Sequence, residues 1–496
     1  MLFPHPLLHA LRAAPATPAF EHAGRTVTRA ELLDLIRRLA GAMRAAGLGP
    51  GRAVAVRTAV TPEAFAAHMA AHALGCRVVG IRPGYPPGQL AHVLAMDVDA
   101  VLVDPGTAAP GLMSTGTALS LGPVAGAADL LARPDDGGPL EVGARPDDVA
   151  ALTFTSGSTG RPKGCAITYR ALSEHWAWQP RVWSPVARAF AAGFERYLLF
   201  GTLASMVVME FLAPCLLGGG TAVIPEEDGR PMFPYAIERH RITGSIITVP
   251  RLFQLLDLAD DADVSSLRAL MVSGSPIGPK RLAAAARRLG PVVYQGYGQT
   301  EAGNVAMLTP EHIAAGVLDP VGRPHPGVEL SVRDDDDAEL PAGATGEIHV
   351  RSPYLMAGYW GDEAETRDTL RDGWLRTRDL GHVDADGFLH LAGRTRDVIM
   401  VNAMVVYAGP IERVLTGHPD VDEAYVAGAP DEGTGEAVHA FVVPAPGRVP
   451  DRAGLAELVR GELGGDSVPQ TITLVPGVPV ATSGKPDKRA LLNRIL

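Results

Sequence analysis

The sequence predicts an α/β protein with a large N-terminal domain of mostly parallel sheets flanked by helices, a β-rich subdomain and a small α+β C-terminal domain. Three observations carry this. Short apolar runs alternate with helical patterns through the first half. From Gly346 the strands shorten and turns multiply. Around Gly393 to Asp397 the pattern changes again, ahead of a compact mixed segment of about a hundred residues. At 496 residues the chain exceeds what one hydrophobic core serves, so the reading places one domain over 1–395 and another over 396–496.

The elements follow in order. Arg29 to Ala46 carries apolar residues at helical spacing behind a Thr28 cap. Ala53 to Val56 and Arg77 to Ile81 read as strands on either side of a helix over Pro62 to Leu74, and Val98 to Val103 is a further strand. Tyr197 to Leu217 has Glu210 as its only charge and is long enough to span a bilayer. Gly201 and Pro214 interrupt it, so a buried helix leading into a strand at Thr221 to Ile224 is the reading. Asp334 to Asp337 lacks the ligand spacing of a calcium loop and sits between an apolar run and Pro341-Ala342-Gly343, which makes it a solvated hairpin tip.

Composition narrows the class. Hydrophobic residues make up 47% and charged residues 20% of the chain, the proportions of an ordinary globular protein. A net charge of -11 offers no basic excess for nucleic-acid phosphates. Three scattered cysteines, Cys76, Cys165 and Cys215, fit a reducing cytoplasm better than a disulfide framework. Met1 to Ala10 has no basic start and is broken by Pro4 and Pro6, unlike a secretion signal.

Four motifs carry chemistry. Thr155-Ser156-Gly157-Ser158-Thr159-Gly160-Arg161-Pro162-Lys163-Gly164 follows an apolar strand over Val149 to Phe154. Glycines let backbone N–H groups approach a ligand, hydroxyls add donors for phosphate oxygens, and Lys163 adds a positive charge. Pro162 stands where a Walker loop requires glycine, and the preceding strand argues against a flexible linker. Tyr294-Gln295-Gly296-Tyr297-Gly298-Gln299-Thr300-Glu301 follows another apolar run. Its ring between glycines can stack on a base, Thr300 can reach phosphate and Glu301 offers a hard oxygen to Mg2+; taken alone, a buried turn explains it equally well. Asp379, in Trp374-Leu375-Arg376-Thr377-Arg378-Asp379-Leu380, can accept ribose hydroxyls, and Arg394 can pair with phosphate. Ser483-Gly484-Lys485-Pro486-Asp487-Lys488 puts a lysine on a glycine-flanked loop beside the C-terminus.

In this order and spacing, and with Gly346-Glu347, Gly358-Tyr359 and Pro479, the chain resembles the adenylate-forming superfamily of acyl- and aryl-CoA synthetases, peptide-synthetase adenylation domains and beetle luciferases, from about Arg29 onward. The resemblance implies ATP, Mg2+ and CoA as cofactors, with a small mobile C-terminal domain rotating about a hinge at Arg396. It places Thr155, Ser156, Gly157, Ser158, Thr159, Gly160 and Lys163 on the pyrophosphate end of ATP. Gly274, Ser275, Pro276, Gly296, Tyr297 and Gly298 fall around adenine. Asp379 falls on the ribose with Arg394 beside it, and Glu301 on the metal with Thr300 next to it. Lys485 is the catalytic lysine. The acid pocket falls on Gly201, Ser205, Gly274 and Gly298.

Four departures from the family's pattern bear on specificity. Ala403, after Asn402, replaces a glycine lining the thiol tunnel, which narrows it without closing it. Met400 and Ala408 replace a common lysine and proline. Arg378 replaces a glycine before the ribose-binding aspartate. Gly201 stands where relatives carry a bulkier residue and amino-acid-activating domains an aspartate. It argues against an amino-acid substrate and leaves room for a bulky acid, although close backbone packing explains it equally.

The reading is therefore an acid–thiol ligase that activates a small-molecule carboxylic acid and passes it to CoA or an acyl carrier protein. Two alternatives stand beside it: adenylation alone or transfer to a non-thiol nucleophile, and a non-catalytic nucleotide-binding relative. The Ala-, Arg-, Gly- and Pro-rich composition points to a high-GC bacterium and specialised metabolism. Neither the acid nor the oligomeric state is written in these motifs, and a homodimer stays open.

Overall fold

The computed structural model describes every residue except 136, 157–161, 276, 396–397, 402–403, 432–433, 481–485 and 494–496. Among the described residues, four sheets organise the chain. The first runs in the order Arg323–Pro324, Gly303–Leu308, Val293–Gln299, Ala269–Ser273, Gly244–Thr248, Arg196–Leu198, Thr221–Val223, Pro18–His22, Arg25–Thr28. Its centre is parallel and its two edges antiparallel. The second places Pro162–Thr168, Val149–Ser156, Arg77–Gly80, Ala53–Arg57 and Ala100–Val103 side by side, parallel except where Val149–Ser156 meets Pro162–Thr168. The predicted α/β class with mostly parallel sheets holds.

Local signals explain the elements. Thr28 and Glu31 form a reciprocal cap on the helix Arg29–Ala45, with the Glu31 carboxylate accepting from the Thr28 N–H at 2.7 Å. The helix Pro62–Ala73 is buried almost all round between elements, which its alanine-rich sequence permits. The apolar stretch over 197–217 divides into the strand Arg196–Leu198 and the helix Met206–Gly218, ended by Gly219 at φ 96°. Among the described residues no helix is long and apolar enough to cross a membrane.

A third sheet, antiparallel throughout, holds Glu329–Arg333, Gly346–Arg351, Leu370–Arg371, Trp374–Val383 and Leu389–Arg394. This β-rich unit begins some residues before Gly346, because the acidic run at 334–337 is the exposed tip of its first turn. The small C-terminal unit pairs Val398–Val401, Met404–Tyr407, Val421–Asp431, Gly435–Pro444 and Thr471–Leu474 around a separate core that includes Ile399, Ile411, Leu415, Val442, Leu455 and Val459. It leans on the rest through Lys280 Nζ on the Val421 carbonyl at 3.0 Å, an Arg281–Asp422 ion pair, and Arg413 on the Leu391 carbonyl at 2.9 Å. The expected boundary and hinge at Arg396 lie outside the described residues.

Candidate active site

The motif residues gather where ligands meet α/β sheets, outside the C-terminal ends of strands. Thr155 and Ser156 end the strand Val149–Ser156, Gly274 and Ser275 follow Ala269–Ser273, and Gly201 follows Arg196–Leu198. One expectation needs correction. The Tyr294-to-Gln299 part of the second motif does not follow a strand but lies within Val293–Gln299. Small residues permit this: a Cβ at Gly296 would lie 1.9 Å from Met271 Cε, and one at Gly298 2.3 Å from the Gly303 carbonyl. Only Thr300 and Glu301 occupy the turn beyond.

Asp379 is the electrostatic centre of the cluster that joins the second and third motifs. It is buried, and Arg394 Nε approaches its Oδ1 at 2.9 Å, while Tyr297 Oη donates to Oδ2 at 2.6 Å and Gln299 Nε2 at 2.5 Å. The pairing of Trp374–Val383 with Leu389–Arg394 sets Asp379 directly opposite Arg394, so sheet register makes the ion pair. Burial and the neighbouring Asp379 push the Tyr297 phenol well above its ordinary value, which keeps it a donor. Arg378 adopts φ 60°, a left-handed backbone that explains why glycine is the family's usual occupant there. Its guanidinium lies 2.8 Å from both Glu365 and Asp368.

A second network links the serine/glycine loop to the turn. Lys163, directly across from Thr155 in the hairpin, makes a 2.7 Å ion pair with Glu365 and stands 5.3 Å from the Tyr359 ring. Tyr359 Oη donates to Glu301 Oε1 at 2.9 Å. Tyr359 reaches this point because Gly358–Tyr359 pairs with Cys165 and Ala166. Glu301 is a carboxylate that accepts one phenolic hydrogen bond and keeps acceptor capacity, beside the hydroxyl of Thr300. Such hard oxygens suit Mg2+, which takes one or two carboxylates and completes its shell with substrate phosphates and water.

The residues expected around the acid divide. Gly201 has φ 89°, and a Cβ there would meet only Val208 Cγ2 at 3.9 Å. Backbone conformation therefore requires glycine, while the space beside it is open; close packing is not the reason. Gly274, at φ 101°, likewise has nothing within 4 Å of an added Cβ. Ser205 is spent as the cap of Met206–Gly218, accepting from Val208 N at 3.5 Å. Gly157, Ser158, Thr159, Gly160, Pro276, Arg396, Ala403 and Lys485 lie outside the described residues. The cysteines are buried and free, and burial pushes Cys76 and Cys215 up to about 12, so none is a ready nucleophile.

Sequence reasoning misses a buried polar cluster around Glu210. Its Oε1 accepts from Trp176 Nε1 at 2.7 Å and from the Asn304 N–H at 3.4 Å, and His175 Nε2 lies 3.5 Å away. His325 stacks on Trp176 at 5.2 Å and reaches Asn304 Oδ1 at 3.1 Å. Burial raises Glu210 to about 7 and lowers His175 to about 3 and His325 to about 4. The one signal in the chain is a lone charge, Glu210, in an otherwise apolar stretch.

The family model described as AMP-binding enzyme matches residues 7–360, and the one described as AMP-binding enzyme C-terminal domain matches 410–485. A feruloyl-CoA synthase from Amycolatopsis sp is 34% identical over 96% of this chain and 95% of its own length. Among solved structures, the amide bond synthetase McbA from Marinactinospora thermotolerans superposes with TM-score 0.88 at 38% identity, covering 99% of each chain. ATP-bound MatB from Rhodopseudomonas palustris gives 0.86 at 25%, covering 100% of this chain and 99% of that one.

Proposed function

The chain belongs to the AMP-binding enzyme family of adenylate-forming proteins, and on that premise we propose how its residues divide the reaction. It is an acid–thiol ligase that activates a carboxylic acid with ATP and transfers the acyl group to a thiol. In the first step a carboxylate oxygen attacks the α-phosphorus, the bond to the bridging oxygen breaks, and pyrophosphate leaves with the electron pair. In the second a thiol sulfur attacks the acyl carbon, AMP leaves and the thiol proton passes to solvent. The observation that carries the reading is Asp379, buried, held by Arg394 and Tyr297, and set beside the turn that bears Glu301.

The proposed roles follow the geometry. Tyr297, with its hydroxyl tied to Asp379, presents its ring to adenine, with Gly274, Ser275, Pro276, Gly296 and Gly298 around the base. Asp379 has lone pairs left for ribose hydroxyls, and Arg394 orients it. Thr155, Ser156, the loop over 157–160 and Lys163 take the phosphates. Glu301 and Thr300 would hold Mg2+, which when bound supplies charge to stabilise the departing pyrophosphate. The acid is already ionised near neutral pH, so no general base is required.

Two anions must meet in the first step, and a fixed ammonium between them offsets the repulsion and stabilises the transition state. Lys485 is the residue proposed for this, delivered by rotation of the C-terminal unit about Arg396. Lys485→Ala should lower acid-dependent pyrophosphate release by about 10²–10³-fold or more, with ATP affinity within a few-fold. Unchanged release would refute the role.

A second reading of the acceptor is favoured by one observation, the 38% identity to an amide bond synthetase over 99% of both chains. An amine would then attack the acyl adenylate in place of the thiol, and Ala403 is the departure that bears on the choice. Incubating enzyme, ATP and an activated acid with CoA, with a primary amine, or with both separates them by mass: thioester supports the first reading, and amide without thioester the second.

A further inference from the structure

Glu210 is the buried titratable group that the adenylation chemistry leaves unused. It lies on the helix Met206–Gly218, one turn past Ser205, and is 4% exposed. Its three contacts, with Trp176, Asn304 and His175, all fall on Oε1. Among the described residues Oε2 therefore has no hydrogen-bond partner. None of the three neighbours supplies a counter-charge: one is an indole, one a backbone amide and one a histidine that burial keeps neutral. Oε2 therefore keeps acceptor capacity that no described protein donor uses.

Its position suggests which ligand would use that capacity. Asn304, whose N–H binds Glu210, is three residues beyond Glu301, and its amide Nδ2 would lie 2.7 Å from a Cβ at Gly296. Gly303 adjoins it at φ 66°, with His175 Nε2 2.9 Å from where its Cβ would stand. The helix that carries Glu210 begins just after the open space at Gly201. Glu210 thus backs the strand Gly303–Leu308 at Asn304, which pairs with Gly298, a position expected at the acid.

We propose that Glu210 is a specificity-determining residue whose Oε2 accepts a hydrogen bond from an N–H or O–H group of the acid substrate, at the end away from the reacting carboxylate. The inference rests on the adenylation reading above for the identity of the ligand. A donor on the ligand favours the carboxylate form of Glu210, whereas a purely apolar acid of the same shape leaves Oε2 unpaired and is rejected. Trp176 and Asn304 are positioning residues, since their donors fix Oε1 and so turn Oε2 toward the ligand.

The test uses matched acids that differ only in the donor: indole-3-acetate against 1-methylindole-3-acetate, and ferulate against 3,4-dimethoxycinnamate. Binding is read by calorimetry and activation by ATP–pyrophosphate exchange, for the full chain and for Glu210→Gln and Glu210→Leu. The wild type should favour the donor-bearing member of at least one pair by about 10- to 100-fold in Kd and KM, with kcat little changed. Glu210→Leu should bring that ratio near one, and Glu210→Gln, which keeps an acceptor for Trp176, should reduce it to a few-fold. Should the leucine variant not fold, the glutamine variant carries the test. The proposal is overturned if the variants keep the wild-type ratio, if the wild type shows no preference in either pair, or if it binds neither member of both pairs. Binding with the expected ratio but no exchange keeps Glu210's role and removes the adenylation reading; exchange with an unaltered ratio does the reverse.

Discussion

Asp379 and Glu210 are equally buried carboxyls, at 5% and 4% exposure, yet their surroundings are opposite. Asp379 faces a guanidinium, a phenol and an amide, with donors on both oxygens. Glu210 faces only neutral groups, on one oxygen, and is pushed up to about 7. A carboxylate held from both oxygens suits a ligand that is always the same, which under the proposed function is the nucleotide. A half-furnished one suits a ligand that completes it, and the acid is what varies among relatives of this kind.

The largest effect expected from breaking this contrast is on the nucleotide side. Asp379→Ala strips an ion pair and two acceptor contacts at once, which for buried groups costs about 3–5 kcal/mol. It should lower kcat/KM for ATP on the order of 10³-fold, by the same factor for every acid tried. A loss that depends on the acid would mean the two sides are not separate.

The next effect sharpens the Glu210 side through pH. Its folded value is raised above the usual carboxyl range near 4.5, so the folded state holds a proton that the unfolded state has lost between about pH 4.5 and 7. Stability should therefore fall as pH rises through that window, by about 3 kcal/mol in all, and level off above it. His68, His72, His175 and His325 are held neutral by burial, with folded values lowered to between about 3 and 4. Their sign is opposite: they withdraw stability as pH falls below 6.5. The difference in Tm between wild type and Glu210→Gln, followed from pH 5 to 8, isolates the glutamate. It should move against the wild type between pH 5 and about 7 and level off above that, and a flat difference throughout would contradict the assigned environment.

The smallest effect concerns Gly201. Alanine there meets open space but must adopt φ 89°, which costs about 1–2 kcal/mol. Chemical denaturation should show that loss, while activity towards small acids changes little. Normal stability would mean that the loop can choose another conformation.

The same contrast explains which parts of the molecule are legible in its sequence. The residues proposed for the nucleotide come from short contiguous motifs whose glycines and hydroxyls have meaning at fixed spacing, so Tyr297, Glu301, Asp379 and Arg394 can be named from the chain alone, and the structure brings Tyr297, Asp379 and Arg394 into contact. The parallel α/β class follows from alternating apolar runs and helical patterns. The Glu210 cluster joins positions 175, 176, 210, 304 and 325, scattered over four stretches of chain, and no local pattern announces it. Lys163's partner Glu365 is hidden for the same reason, since it depends on the pairing of Gly358–Tyr359 across to Cys165. The strand-borne position of Tyr297 escapes the sequence because its glycines look like a loop, whereas close approach by Met271 and Gly303 is what they serve.

Acid-dependent ATP–pyrophosphate exchange, measured across aryl, fatty and polycyclic acids with the wild type and with Lys485→Ala, tests the central claim most directly. Exchange that requires both an acid and Mg2+, and that collapses in the lysine variant, is the expected result. Exchange that proceeds without an acid, that no acid in the panel elicits, or that survives the loss of Lys485 would contradict it.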